Sequence, residues 1–107
     1  MWNIPTPDHL DRIPRLYETD DTPLEEKIIY LHFFIGDCDW FVAEYDGDDL
    51  FFGFAILNGD YEMAEGGLVS FEELQSINVC GIGIDSEMDW VSTRAADILL
   101  IKYHVNF

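Results

Sequence analysis

Residues Ile28–Leu57 read IIYLHFFIGDCDWFVAEYDGDDLFFGFAIL. Three apolar, aromatic-rich runs are separated by two short acidic segments, GDCD at 36–39 and DGDD at 46–49. Apolar runs of this length, bounded by Gly and Asp, predict strands, and turns this short join antiparallel neighbours. The stretch therefore predicts a three-stranded meander with strands over Lys27–Phe34, Trp40–Tyr45 and Leu50–Leu57. In the first strand, alternation sets Ile29, Leu31 and Phe33 against Ile28, Tyr30, His32 and Phe34. Both sets are largely apolar, so this strand is expected to be covered on both faces. In the second, Trp40, Val42 and Glu44 lie opposite Phe41, Ala43 and Tyr45. Gly47 supplies the positive φ that a tight turn needs, and Gly53 marks a bulge or a close backbone approach.

Working outward, Thr6-Pro7-Asp8 reads as a helix start, with a capping hydroxyl, a proline at the first position and an acid at the positive end of the dipole. Pro14 stops that helix near Arg12 or Ile13. Leu10, Ile13, Leu16 and Tyr17 would then cover an edge of the sheet. Glu18–Glu26 (ETDDTPLEE) has no periodicity and reads as irregular loop. Beyond the meander, Asn58-Gly59-Asp60 is a turn and a fourth strand falls within Met63–Val69. Ser70 caps a short helix whose apolar face is Phe71, Leu74 and Ile77, with Glu73 completing a capping box. Val79–Ile84 is loop or a short fifth strand. Ser92 caps a short helix running to Leu99, and Ile101–Phe107 is a strand or a docked extension. The expectation is one α+β domain over 1–107: a small twisted antiparallel sheet of four or five strands, its central meander at 28–57, with short helices near both ends.

Charge is the second signature. The chain has 22 acidic and 5 basic residues, a formal net charge of −17. Between Lys27 and Arg94 there is no Lys or Arg, while 14 Asp and Glu fall in that interval. Such a field repels phosphate backbones and anionic lipid, so direct nucleic-acid or membrane binding is disfavoured, and basic protein surfaces or cations are favoured. The plain alternative is that acidity serves solubility alone. Cys38 and Cys80 have neither disulfide nor zinc spacing, so reduced thiols in a cytoplasm are expected. The N-terminus has no signal-peptide core, and no apolar run is long enough to span a bilayer.

Three constellations bear on chemistry. Glu44, mid-strand among aromatics, would have its pKa raised toward that of a general base, with His32 on the next strand as partner, unless it pairs with Lys27 or a backbone amide. Asp46, Asp48 and Asp49 crowd one hairpin tip, but EF-hand spacing and its closing Glu are absent, and His9, His32 and His104 lack ligand spacing; no metal and no cofactor are expected. The turn acids Asp37, Asp39, Asp46, Asp48 and Asp49, with Glu72 and Glu73 as a second patch, would form a negative face if their turns converge. Trp40, exposed beside them, would anchor a contact.

The ordered set IPRLYE (13–18), YLHFF (30–34), WFVAEYD (40–46), LFFGFAI (50–56) and GLVSFEEL (67–74) resembles a family of small uncharacterised domains carried on bacterial plasmids, phages and conjugative elements. The likeness covers roughly Leu10–Trp90. Family members commonly carry an acidic–Arg–Asp triplet after the helix, where this chain reads Ser86-Glu87-Met88-Asp89. No catalytic or ligand residues transfer; the resemblance implies a mobile-element setting of accessory or anti-defence type. The reading is a non-enzymatic acidic inhibitor that imitates nucleic acid on a basic surface of a bacterial defence complex, of the CRISPR-effector or restriction type. Its rivals are an accessory interaction module with incidental acidity and a small enzyme using Glu44.

Overall fold

The first helix, α1 (Pro7–Asp11), starts as its residues dictate: the Thr6 hydroxyl accepts from the His9 amide at 3.1 Å, with Pro7 at the first position. The structure is a computed structural model that describes residues 4–57, 60–79 and 81–98; for 57, 60–66, 78 and 79 it describes the backbone alone. After α1 the chain turns repeatedly, closes a 3-10 turn at Leu24–Glu26, and enters β1 (Ile28–Ile29). The meander follows as β2 (Leu31–Ile35), β3 (Cys38–Tyr45) and β4 (Leu50–Leu57). Next come β5 (Asp60–Ser70), α2 (Phe71–Ser76), the small hairpin β6 (Asn78–Val79) and β7 (Ile82–Gly83), then β8 (Asp85–Ser86) and β9 (Thr93–Arg94). The main sheet has the order β5-β4-β3-β2-β8 and is antiparallel throughout. The fold is α+β.

Each face of the sheet carries its own core. One holds Ile13, Leu31, Phe33, Trp40, Val42, Tyr45, Phe51, Leu74 and Ile84; the other holds Ile29, Phe41, Ala43, Phe54, Ile56, Ala95 and Ile98. Helix α2 seals the first core through buried Leu74 and through Phe71, whose ring tilts against Phe33 and Phe51. A sheet with both faces covered needs apolar residues at nearly every strand position, which is why the meander reads as almost continuous hydrophobic sequence.

Two irregularities correct the simple alternation. The first expected strand is broken at Tyr30. β1 leaves the sheet to pair with β9, Ile28 opposite Arg94, while the Tyr30 amide still donates to the Val42 carbonyl at 2.8 Å. Ile29 and Leu31, expected on one face, therefore lie in different cores. The second is a bulge in β3: Val42 faces Gly53, yet Glu44 faces Phe52, so Ala43 is the extra residue. The bulge resets the pleat. Tyr45 joins the core of Val42, and Glu44 turns to the opposite face from Trp40 and Val42.

Gly53 sits where this bulge presses on its neighbour, so the close approach expected at that position is present. Other boundaries shift. β5 begins at Asp60 rather than near Met63: its ladder with β4 runs in register through Gly67 and Gly66 to Ala55 opposite Glu65, then shifts and resumes with Leu57 opposite Asp60. The fifth strand of the main sheet is β8, not 79–84, which forms its own hairpin around Gly81. The helix expected from Ser92 is instead β9 and a 3-10 turn at Ala95–Asp97, since the Ala95 amide is drawn to the Lys27 carbonyl at 2.9 Å. Tyr17, expected over the sheet edge, is exposed. The turn at 58–59, Cys80 and the tail 99–107 lie outside the described residues.

Candidate functional site

The meander places its two acidic turns at opposite ends of the sheet, so they do not converge. β3 is eight residues long, and at about 3.3 Å per residue the two turns stand roughly 25 Å apart. Asp37 and Asp39 belong to one end. Asp46, Asp48 and Asp49 belong to the other, where Leu50 pairs with Ser70 and so brings Glu72 and Glu73 of α2 alongside. The second patch is thus continuous with the β3–β4 turn.

Much of the acidity at that end is spent on the fold. Asp46 Oδ1 accepts the amides of Asp48, Asp49 and Leu50 at 2.7, 2.8 and 3.0 Å, closing the hairpin. Burial pushes its pKa up, but the three amides and nearby Arg15 outweigh that and hold it below the ordinary value. Asp49 accepts from the Ser70 hydroxyl and, at 2.8 Å, from the Glu72 amide, while its carbonyl accepts from the Phe71 amide. It thereby shares with Ser70 the capping of α2; the Ser70 hydroxyl accepts from the Glu73 amide at 3.2 Å. Asp48, Glu72 and Glu73 are exposed. Asp46→Ala should lower stability by about 1–2 kcal/mol through three amides losing their acceptor at a partly hydrated tip, read as a lower urea midpoint with unchanged slope.

At the other end, Asp37 is exposed, but Asp39 is half-buried with its carboxylate on His32 Nε2 at 2.7 Å. The second ring nitrogen of His32 faces Glu87 at 3.1 Å, and the ring stacks on Phe41 with centroids 4.6 Å apart. The partner of His32 is therefore Asp39 with Glu87, not Glu44. Trp40 is buried in the first core at 9% exposure and presents no anchor. Alternation along β3 showed that Trp40 and Phe41 face opposite ways, but not that both faces are covered.

Glu44 is buried at 2% exposure, with Lys27 beside it at 5%. Its Oε1 accepts the Tyr17 amide at 3.0 Å; its Oε2 accepts the Thr19 amide at 3.2 Å and the Thr19 hydroxyl, and lies 3.6 Å from Lys27 Nζ. Lys27 Nζ donates to the Thr19 carbonyl and hydroxyl and lies 5.9 Å from the Phe52 ring centroid. Burial raises the Glu44 pKa, but the Thr19 hydroxyl, the two amides and the Lys27 charge together lower it below the ordinary value. That direction is opposite to the one a general base requires. Glu44 instead ties the 17–27 loop to the sheet. Tyr17 accepts a left-handed backbone, φ 71°, to deliver its amide, which costs about 1 kcal/mol or more for a non-glycine residue. These donors are 25 and 27 residues from Glu44, so no local motif announces them. Only the pairing with Lys27 or an amide was foreseeable, and both occur.

The described cations are nearly all engaged. Lys27 is buried; Arg94 is held protonated by hydrogen bonds to Asp97 and Glu26; Arg15 lies 3.9 Å from Asp11 and 5.7 Å from the Tyr45 ring centroid; Arg12 is exposed. Among the described residues no three His, Cys, Asp or Glu converge as a metal site, and no helix is long and apolar enough to cross a membrane. The chain matches no family model, no curated protein and no solved structure.

Proposed function

We propose that the chain is a non-enzymatic acidic binding protein that occupies a basic, nucleic-acid-binding surface of another protein. In this reading it works in a bacterial cytoplasm as a nucleic-acid mimic and inhibits a defence complex of the CRISPR-effector or restriction type. The observation that carries the reading is the uncompensated charge: −17 overall, with Lys27, Arg15 and Arg94 already facing carboxylates of this chain. The exposed acids Asp37, Asp48, Glu72 and Glu73 ride on a doubly packed sheet and its capping helix. Fixed carboxylates of this kind present negative charge without the entropy loss of ordering a flexible chain, and they speed encounter with a basic partner. The resemblance of the motif order to plasmid- and phage-borne domains supports the setting.

Some acids favour the rival reading of an interaction module with incidental acidity. Asp39, Asp46 and Asp49 have their carboxylates engaged in the fold's own hydrogen bonds, so the proposed contact falls on the exposed acids instead. The test is affinity capture from a bacterial lysate, with duplex DNA added as competitor. The mimic reading expects a DNA- or RNA-binding protein that is released by salt and displaced by DNA. Capture of partners indifferent to both would favour the module.

A further inference from the structure

The loop that Glu44 ties down forms, with the sheet, a groove of about 370 Å³. Its walls are Tyr17, Leu24, Phe52 and Leu68, and Lys27 and Glu44 lie at its floor. Phe52 and Leu68 are register partners on β4 and β5, next in line after Glu44, so this is the end of a sheet face that the loop leaves open. Tyr17 is 69% exposed and Leu68 53%. Asp20 lines the groove, and Glu18 and Asp21, its neighbours along the loop, are exposed. Among the described residues the only cation in the lining, Lys27, is buried and donates to Thr19.

We infer that this groove docks a basic segment of a partner protein, which inserts one aliphatic or aromatic side chain between Tyr17, Phe52 and Leu68 and places flanking Lys or Arg against Glu18, Asp20 and Asp21. The inference rests on the acidic-binding reading and adds to its exposed acids a second, separate contact on the partner. The occupant follows from charge complementarity. An apolar slot with Asp20 in its wall and the exposed acids Glu18 and Asp21 on the same loop disfavours acidic partners, and it rewards an apolar anchor carried between positive charges. Its size admits one large side chain. Tyr17 is well suited to the contact, because a tyrosine combines apolar area with a polar tip, and its backbone is pinned through Glu44 rather than free.

The probes are two synthetic peptides, one with a single Leu flanked on each side by Lys and Arg, the other identical but for Ala in place of Leu. Titration followed by calorimetry should show the Leu peptide binding about tenfold tighter than the Ala peptide, as burying the extra apolar surface requires. Leu68→Ser, on an exposed side chain whose loss leaves both cores intact, should bring the two peptides to the same affinity while their shared salt dependence remains. Equal, salt-sensitive binding of both peptides by the unsubstituted chain would overturn the groove and leave the acidic-binding reading standing. Failure of both peptides to bind at low salt would overturn both. Displacement of the Leu peptide by spermine, at equal affinity in the original and Leu68→Ser chains, would show bare charge recognition and also overturn the groove.

Discussion

Glu44→Ala is expected to cost about 4 kcal/mol, because it strands a buried lysine charge and removes the acceptor of two amides and a hydroxyl. Lys27 at 5% exposure cannot regain water without opening the loop. Replacing the pair by Leu and Met would not rescue the loss fully, since the Tyr17 and Thr19 amides would still lack the acceptor they now have. The same site sets a pH dependence. The folded pKa of Glu44 lies below its ordinary value of 4.5. The unfolded chain therefore binds the proton more readily, so the Glu44 contribution is fully present above about pH 4.5 and is lost as the pH falls through the lower folded value. Asp46, also lowered, adds to the same slope. Denaturant titrations from neutral pH down to pH 3 should show a shallower acid loss in Glu44→Gln than in the unsubstituted chain. A parallel acid loss in the two would mean that Glu44 is not held ionised by the fold.

The second large effect belongs to a residue with no side chain. A Cβ placed on Gly53 would fall 1.8 Å from the Phe41 carbonyl oxygen and 2.8 Å from its carbon. Both are backbone atoms of the adjacent strand, locked by the ladder on either side of the bulge, so no rotamer change relieves the clash. Gly53→Ala should therefore cost about 3 kcal/mol, a fall in melting temperature of roughly 15 °C for a domain of this size. Gly67, its register partner, has nothing within 4 Å of a built Cβ. Gly67→Ala is the matched control and should melt close to the unsubstituted chain.

What the residues reveal unaided, and what they hide, follows from range. The meander, the α1 start at Thr6-Pro7 and the Ser70 cap were legible, because each is written in neighbours within a few positions. The bulge at Ala43 was not: one extra residue among apolar neighbours leaves the composition of β3 unchanged, yet it moves Glu44 to the other face. The break at Tyr30 was hidden for a like reason, since the residue that claims β1 is Arg94, 66 positions away from Ile28. Within the candidate site, the exposed acids Asp37, Asp48, Glu72 and Glu73 stood where the turn chemistry put them. Asp39, Asp46, Asp49 and Trp40 did not behave as free contacts. Small acids in turns cap amides as readily as they face water, as Asp46 and Asp49 do, whereas Asp39 lies in β3 and meets the His32 ring, and Trp40 packs into the first core.

The carboxylates divide into those that build the fold and those proposed to meet a partner, and one comparison tests that division. A quadruple charge reversal, D37K/D48K/E72K/E73K, is set beside Glu44→Gln in salt-dependent capture of nucleic-acid-binding protein from a bacterial lysate, with melting curves for both. On that division the quadruple variant should melt near the unsubstituted chain but capture nothing that DNA displaces, whereas Glu44→Gln should melt lower and capture the same partner with the same salt dependence. Capture by the quadruple variant that keeps the original affinity and salt dependence would contradict it.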